Sequence, residues 1–216
     1  MKNILIVGSG GQIGTELVKK LRAKYGNEHV VASDLRQLTG EIAENGPFER
    51  IDSTQIMQIV DVVKKYNIDT IYNLAAILSA TAEKNPMLGW NVGIGSLVNC
   101  LEVARTFGCA VFTPSSIGAF GPSTPRDNTP QDTIQRPNTI YGVTKVTGEL
   151  LSDYYFTRFG VDTRSVRFPG LISNLTLPGG GTTDYAVEIY YAAVKGEKIF
   201  CPIDKGTFMD MMYMPW

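Results

Sequence analysis

One histidine is all that the 216 residues contain. That excludes metal centres built from several histidines, and it leaves a Ser-His-Asp triad disfavoured. His29 stands in "KYGNEHVVAS", which reads as an exposed turn between a helix and a strand. Acid-base chemistry has to come from other side chains. Cysteine is scarce too. Cys100, Cys109 and Cys201 lie far apart, without the spacing of a disulfide framework or a metal site, and read as reduced thiols of a cytoplasmic protein. No metal is expected. Charge of one sign is also missing: the formal net charge is -1. A nucleic-acid partner, which needs many cations against phosphates, is not expected. No apolar run reaches the length of a membrane span. The chain enters the apolar "NILIVG" at once, so no signal or transit peptide is expected, and "NLT" at Asn174 reads as a chance match to the glycosylation pattern.

What is present is an alternation of short apolar runs with amphipathic stretches. "NILIVG", "VVASD", "DTIYNLAA", "CAVFTPSS", "TRSVRF" and "KIFCPI" read as strands. Between them, "TELVKKLRAKYG", "STQIMQIVDVVKKYN", residues 87–107, residues 141–159 and a segment from Asp184 carry helical spacing. Strand and helix in strict turn predict an α/β fold, a Rossmann-type doubly wound parallel sheet with helices on both faces. The polar, proline-rich stretch 121–140 reads as a loop beside a site.

Three stretches carry chemistry. "GSGGQIG", residues 8–14, lies where the first strand turns into the first helix. Gly8, Gly11 and Gly14 there allow a tight turn and close approach of backbone to a pyrophosphate facing the helix N-terminus. Asp34 ends the second strand 20 residues after Gly14. A carboxylate there accepts from ribose hydroxyls and repels a 2'-phosphate, which favours NAD, although Arg36 nearby is a group that would hold that phosphate. "NLAA", residues 73–76, ends a strand at the carboxyl edge of the sheet, where small Ala75 and Ala76 let a ligand lie against backbone. Ser115 and Ser116 hold the corresponding place on the next strand, and "YGVTK" follows. Tyr141 and Lys145, four apart, share one helix face, and an ammonium beside a phenol favours the phenolate.

In this order and spacing, the glycine pattern, "NLAA", "SSIGAFG" and "YGVTK" resemble the extended short-chain dehydrogenase/reductases. "TPSSIGAFGP", "PNTIYGVTK", "RFPGLIS", "PGGGTTDYA" and "DMMYMP" are similar, within that superfamily, to the L-threonine 3-dehydrogenases. The resemblance implies NAD-dependent oxidation of L-threonine to L-2-amino-3-oxobutyrate. Tyr141 would be the base, Lys145 the residue that lowers its pKa and holds the nicotinamide ribose, and Ser116 the hydroxyl that orients the substrate. It implies cofactor contacts at Gly8, Gly11, Gln12, Ile13, Gly14, Asp34, Leu35, Asp52, Leu74, Ala75, Ala76, Asn91, Tyr141 and Lys145. Substrate contacts fall at Ser79, Ser116, Tyr141, Thr182 and Asp184, and the assembly implied is a homodimer.

Residues 1–170 are thus expected to form the NAD-binding domain with the catalytic residues, and 171–216 a small, apparently truncated substrate-binding part. The family runs on beyond "DMMYMP", and Trp216 stands where an acidic or polar residue is expected. Apolar side chains of 171–216, among them Ile189, Tyr190, Phe208, Met211 and Met212, are therefore expected to be partly exposed. A nucleotide-sugar epimerase or dehydratase of the same superfamily is the alternative reading. It would need cations for a diphosphate, and "NLTLPGGGTTDYA" offers no arginine or lysine.

Overall fold

Ile4, Leu5, Ile6 and Val7 are all buried, and a run of apolar residues with no polar face belongs in a strand covered on both sides. That strand, β1 (Ile4–Val7), is central in a computed structural model that describes residues 2–173, 175–177, 179, 181–201 and 203–214. Asn174 and the Pro215–Trp216 end lie outside the described residues. β2 (Val30–Asp34), β3 (Phe48–Arg50), β4 (Thr70–Asn73), β5 (Ala110–Ser116) and β6 (Thr163–Phe168) complete a parallel sheet in the order β3-β2-β1-β4-β5-β6. The doubly wound expectation holds. A second, two-stranded sheet pairs β7 (Gly170–Ile172) with β8 (Met211–Tyr213).

Side chains of a strand alternate between faces, and the two cores follow that alternation. Ile4, Ile6, Val30 and Ala32 pack with Val18 and Leu21 of α1 (Gln12–Tyr25). Leu5, Val7, Val31 and Ile71 pack on the opposite face. Their partners come from α3 (Ile56–Tyr66), α6 (Ser96–Phe107) and α7 (Ile140–Phe159). The short helices α2 (Glu41–Glu44), α4 (Ser79–Lys84) and α5 (Pro86–Trp90) lie between these, and α8 (Tyr185–Lys195) follows β7. Among the described residues no helix is long and apolar enough to cross a membrane.

Several expectations need correction. "KIFCPI" is no strand in its described residues; Phe200 is 88% exposed, so nothing there supplies a sheet neighbour. The partner of β7 is β8 instead. β3 escaped notice because its three residues, Phe-Glu-Arg, are too short to show alternation. "DTIYNLAA" leaves the sheet after Asn73, and the expected single helix over 87–107 is interrupted by a π-helical turn at Asn91–Gly95. Gly93 and Gly95 within that turn weaken a regular helix. As expected, His29 is exposed, beside Asn3 at 2.9 Å, and Ile189, Tyr190 and Phe208 are exposed. All three cysteines are free, Cys100 and Cys109 buried.

A buried cation shapes one edge. The Arg22 guanidinium donates to the carbonyls of Val30, Glu41, Ile42 and Pro47 at 2.7 to 3.4 Å, and burial lowers its pKa. These bonds seat the segment that leads into β3.

Candidate active site

The strand order reverses at β1, between β2 and β4, and the crevice at their carboxyl ends is where sheets of this kind bind ligands. The glycine loop fills that crevice. Gly8 has φ +85°, and a Cβ there would come within 3.1 Å of the Ala75 nitrogen and the Leu74 carbonyl carbon. A Cβ on Gly14 would fall 2.4 Å from the Gly8 oxygen. No side chain caps α1, whose N-cap is Gly11 and whose first turn holds no acidic residue. Two buried polar atoms of the loop region, Ser9 Oγ and Gln12 Nε2, have no partner. An uncapped helix start, small residues and unpaired donors fit a dinucleotide pyrophosphate.

Asp34 lies beside this loop. Its carboxylate accepts from Gly10 N at 2.9 Å, Arg36 N at 3.0 Å and Arg36 Nε at 3.1 Å. Burial alone would raise its pKa, but the bonds to Arg36 and Gly10 bring it below the usual carboxylate value. Arg36, which also donates to Gly10 O at 3.2 Å, is thus partnered with the carboxylate rather than standing apart as a phosphate ligand. Leu35, exposed, and Asp52 line a neighbouring hollow of about 470 Å³ together with Ile51 and Gln58. One Asp52 oxygen is engaged by Thr54 N and Oγ1 at 2.9 and 2.7 Å.

Tyr141 and Lys145 occupy the first turns of α7. Thr139 caps that helix by accepting from Gly142 N at 3.0 Å, and Glu83 accepts from Ile140 N at 2.7 Å. Gly142 follows the tyrosine because a Cβ there would sit 2.3 Å from the Gly118 oxygen. The Tyr141 ring and the Ser116 oxygen both border Gly118, and the Ser116 oxygen accepts from Gly118 N at 3.0 Å. The Lys145 ammonium lies 5.3 Å from the Tyr141 ring centroid and donates to Pro114 O at 2.8 Å.

The electrostatics differ from the sequence reading, in which Lys145 lowers the tyrosine. Burial pushes the Tyr141 phenol above its ordinary value, and the influence that opposes it is the Ser116 hydrogen bond. Burial also pulls Lys145 down to about 8, against the charge of Glu149. A lysine that is itself desolvated holds its proton less firmly and has less charge to offer the phenol.

Lys145 lines one cleft with Leu74, Ala75, Ala76, Gly93 and Glu149, which brings the "NLAA" segment and α7 together. Ile13 is half-buried in the first turn of α1, and Asn91 begins the π-helical turn on the exposed side. Ser79 Oγ accepts from Thr182 N at 3.2 Å, which joins two of the expected substrate positions. Asp184 is buried and accepts from Gly179 N and Gly181 N, both at 2.8 Å, so its carboxylate shapes its own glycine loop. Sequence reasoning passed over Glu149, one helical turn beyond Lys145, and Glu83, which reaches the start of α7. Glu149 was findable, because it repeats the four-residue step of the pair.

The sequence pattern of the NAD dependent epimerase/dehydratase family matches residues 4–201. The chain belongs to that family. Its cofactor is NAD, and the resemblance to extended short-chain dehydrogenase/reductases holds. An uncharacterized epimerase/dehydratase of Staphylococcus aureus strain MRSA252 is 60% identical over 215 residues, covering 99% of this chain and 67% of that protein. The solved L-threonine dehydrogenase of Clostridium difficile is 56% identical with a TM-score of 0.94, covering 100% of this chain and 68% of that one. The holo form of an L-threonine dehydrogenase from Cupriavidus necator is 48% identical with a TM-score of 0.94, over 99% of this chain and 69% of that one. The chain therefore spans about two thirds of the length of these relatives.

Proposed function

We propose that the chain carries the cofactor-binding and catalytic part of an NAD-dependent L-threonine 3-dehydrogenase, which oxidises the threonine hydroxyl to give L-2-amino-3-oxobutyrate. The observation that carries this reading is the juxtaposition of Ser116 and Tyr141, which both border Gly118, one helical turn from Lys145 and beside a cleft walled by Ala75 and Ala76. The likeness to two L-threonine dehydrogenases supports the substrate.

In this reading residues 1–170 are the NAD-binding domain and 171–216 contribute to the substrate side. Gly8, Gly11, Gln12, Ile13 and Gly14 hold the pyrophosphate, and Asp34, Leu35 and Asp52 the adenosine. Leu74, Ala75, Ala76, Asn91 and Lys145 hold the nicotinamide half. When bound, NAD supplies the hydride acceptor. Tyr141 takes the proton of the threonine C3 hydroxyl as the C3 hydride departs. Ser116 holds that hydroxyl in line, Lys145 presents its charge beside the phenol, and Ser79 and Thr182 hold the amino acid. Orientation supplies much of the acceleration, and the tyrosine adds a general-base contribution. We place the protein in the cytoplasm, as a homodimer with no metal.

The test offers the purified chain NAD with L-threonine, L-serine and a UDP-sugar in separate reactions, followed by NADH absorbance and product analysis. Threonine-dependent NADH is expected. Epimerisation of the sugar without net NADH would replace this reading with the one that the family description also covers.

A further inference from the structure

Glu149 lies four residues beyond Lys145 and eight beyond Tyr141, on the same stripe of α7. Its carboxylate is a junction of four segments. Arg167 of β6 grips it with both prongs, Nε to Oε1 at 2.9 Å and Nη2 to Oε2 at 2.7 Å. Gln135 of the 121–140 loop donates to Oε2 at 2.8 Å, and Ser115 of β5 donates its hydroxyl to Oε1. Arg167 extends the junction by donating to Gln131 O at 2.8 Å and lying over the Phe120 ring at 5.2 Å. Both side chains are largely buried, with 15% of Glu149 and 18% of Arg167 exposed. A two-pronged arginine-carboxylate pair out of solvent fixes direction as well as distance.

Two features tie this junction to the reacting pair. Ser115 is the chain neighbour of Ser116, so a fixed Ser115 restrains the hydroxyl that meets Tyr141. Glu149 and Lys145 also line the same cleft, where the other described lining residues carry no charge.

We propose that Glu149 is a positioning residue for Tyr141 and Lys145: clamped by Arg167, it fixes the Ser115–Ser116 strand end and sets one negative charge facing the Lys145 ammonium. The proposal rests on the reading of Tyr141 and Lys145 as the reacting pair. The charged and titratable groups around the junction are Tyr141, Lys145 and Asp153 on α7, Arg167 on β6 and Asp132 in the loop. Glu149 opposes the burial that strips Lys145 of its proton, and Arg167 partly neutralises Glu149. Removing either partner therefore moves Lys145 in opposite directions.

The test follows the Lys145 side-chain nitrogen by NMR on ¹⁵N-lysine protein, assigned with Lys145→Met, together with turnover against pH. Glu149→Gln keeps the shape and removes the charge. It should lower the Lys145 titration midpoint by roughly half a unit or more. Turnover should fall about tenfold, with KM for NAD within about threefold. Arg167→Met should raise the midpoint by a similar amount. Thermal destabilisation in both variants with the Lys145 midpoint unmoved would mean a merely structural brace and overturn the proposal. Should Glu149→Gln fail to fold, the sign of the Arg167→Met shift decides alone. The titration needs no substrate, so a failure of the reading of Tyr141 and Lys145 as the reacting pair, shown by an active Tyr141→Phe variant, is separable from a failure here.

Discussion

The Lys145 ammonium donates to the carbonyl oxygen of Pro114 at 2.8 Å, which ties the catalytic stretch of α7 to β5 two residues before Ser116. The proline fits this place. β4 pairs with β5 only as far as Phe112, so at Pro114 the strand has one open side, where a missing N–H breaks no ladder bond. The carbonyl on that residue is then available to a side chain.

Lys145 should leave a mark on stability against pH. Its folded pKa of about 8 lies below the ordinary 10.5. Below about 8 both folded and unfolded chains hold the proton, and the cost of burying the charge is present in full. Between about 8 and 10.5 the unfolded chain binds the extra proton, so Lys145 makes stability rise with pH. Tyr141, raised from 10.0, acts in the opposite sense only above that value. Comparison with Lys145→Met cancels the buried thiols Cys100 and Cys109, which burial pushes up to about 12 and about 11. Melting curves at about pH 7.5 and about 9.5 should show the wild-type chain gaining on the variant as pH rises. A constant difference would count against a desolvated Lys145.

Tyr141→Phe should reduce turnover by about a hundredfold or more, the range of general acid-base catalysis, and leave NAD affinity within a few-fold. The phenol oxygen is lost while the glycine loop and Asp34 stay in place. NADH production and NAD titration check the two halves, and full turnover in the variant would remove Tyr141 from the reaction.

Asp34→Ala should weaken NAD binding and improve NADP relative to it. A charge-assisted pair of hydrogen bonds to a ribose is worth roughly 1.5–3 kcal/mol, which is tenfold or more. The change also frees Arg36, now bonded to Asp34 at 3.1 Å, to meet a 2'-phosphate. Calorimetry with both cofactors measures this, and an unchanged preference would mean that another group reads the ribose.

Gly14→Ala should destabilise the chain by about 1–3 kcal/mol or more and abolish NAD binding. The new methyl group would sit 2.4 Å from the Gly8 oxygen and 2.6 Å from the Ser9 Cα, and backbone cannot step aside as a flexible side chain can. Denaturant unfolding is the measurement. A variant as stable as the parent would show that the loop has slack the structure does not display.

The parallel sheet was legible because Ile4–Val7 and Val30, Val31 and Ala32 are buried on both faces, which shows as unbroken apolar runs. β3 and β8 were not, since three residues, none of them buried, carry no pattern. Within the site, Gly8, Asp34, Tyr141 and Lys145 stood out by their spacing along the chain, and Ser116 came from the family resemblance. What the chain order conceals is pairing across it. Arg36 read as a rival to Asp34 and is its partner. Asp184 accepts from Gly179 N and Gly181 N of its own loop, which chain order does not show. Glu149 meets Arg167 only once α7 and β6 lie side by side.

The π-helical turn at Asn91–Gly95 makes α5 and α6 a rod with two halves out of phase. A π-turn takes up one residue more than an α-turn, and at 3.6 residues per turn one extra residue rotates everything before it by about 100° against everything after. Behind the turn, Leu97, Cys100 and Leu101 keep their stripe on the core; at its first residue, Asn91 is exposed. Length rather than composition sets that angle. A chain with one residue deleted from these five would restore an unbroken helix, keep its core stripe and point Asn91 elsewhere, so the segment tolerates exchange of its side chains better than any change in their number.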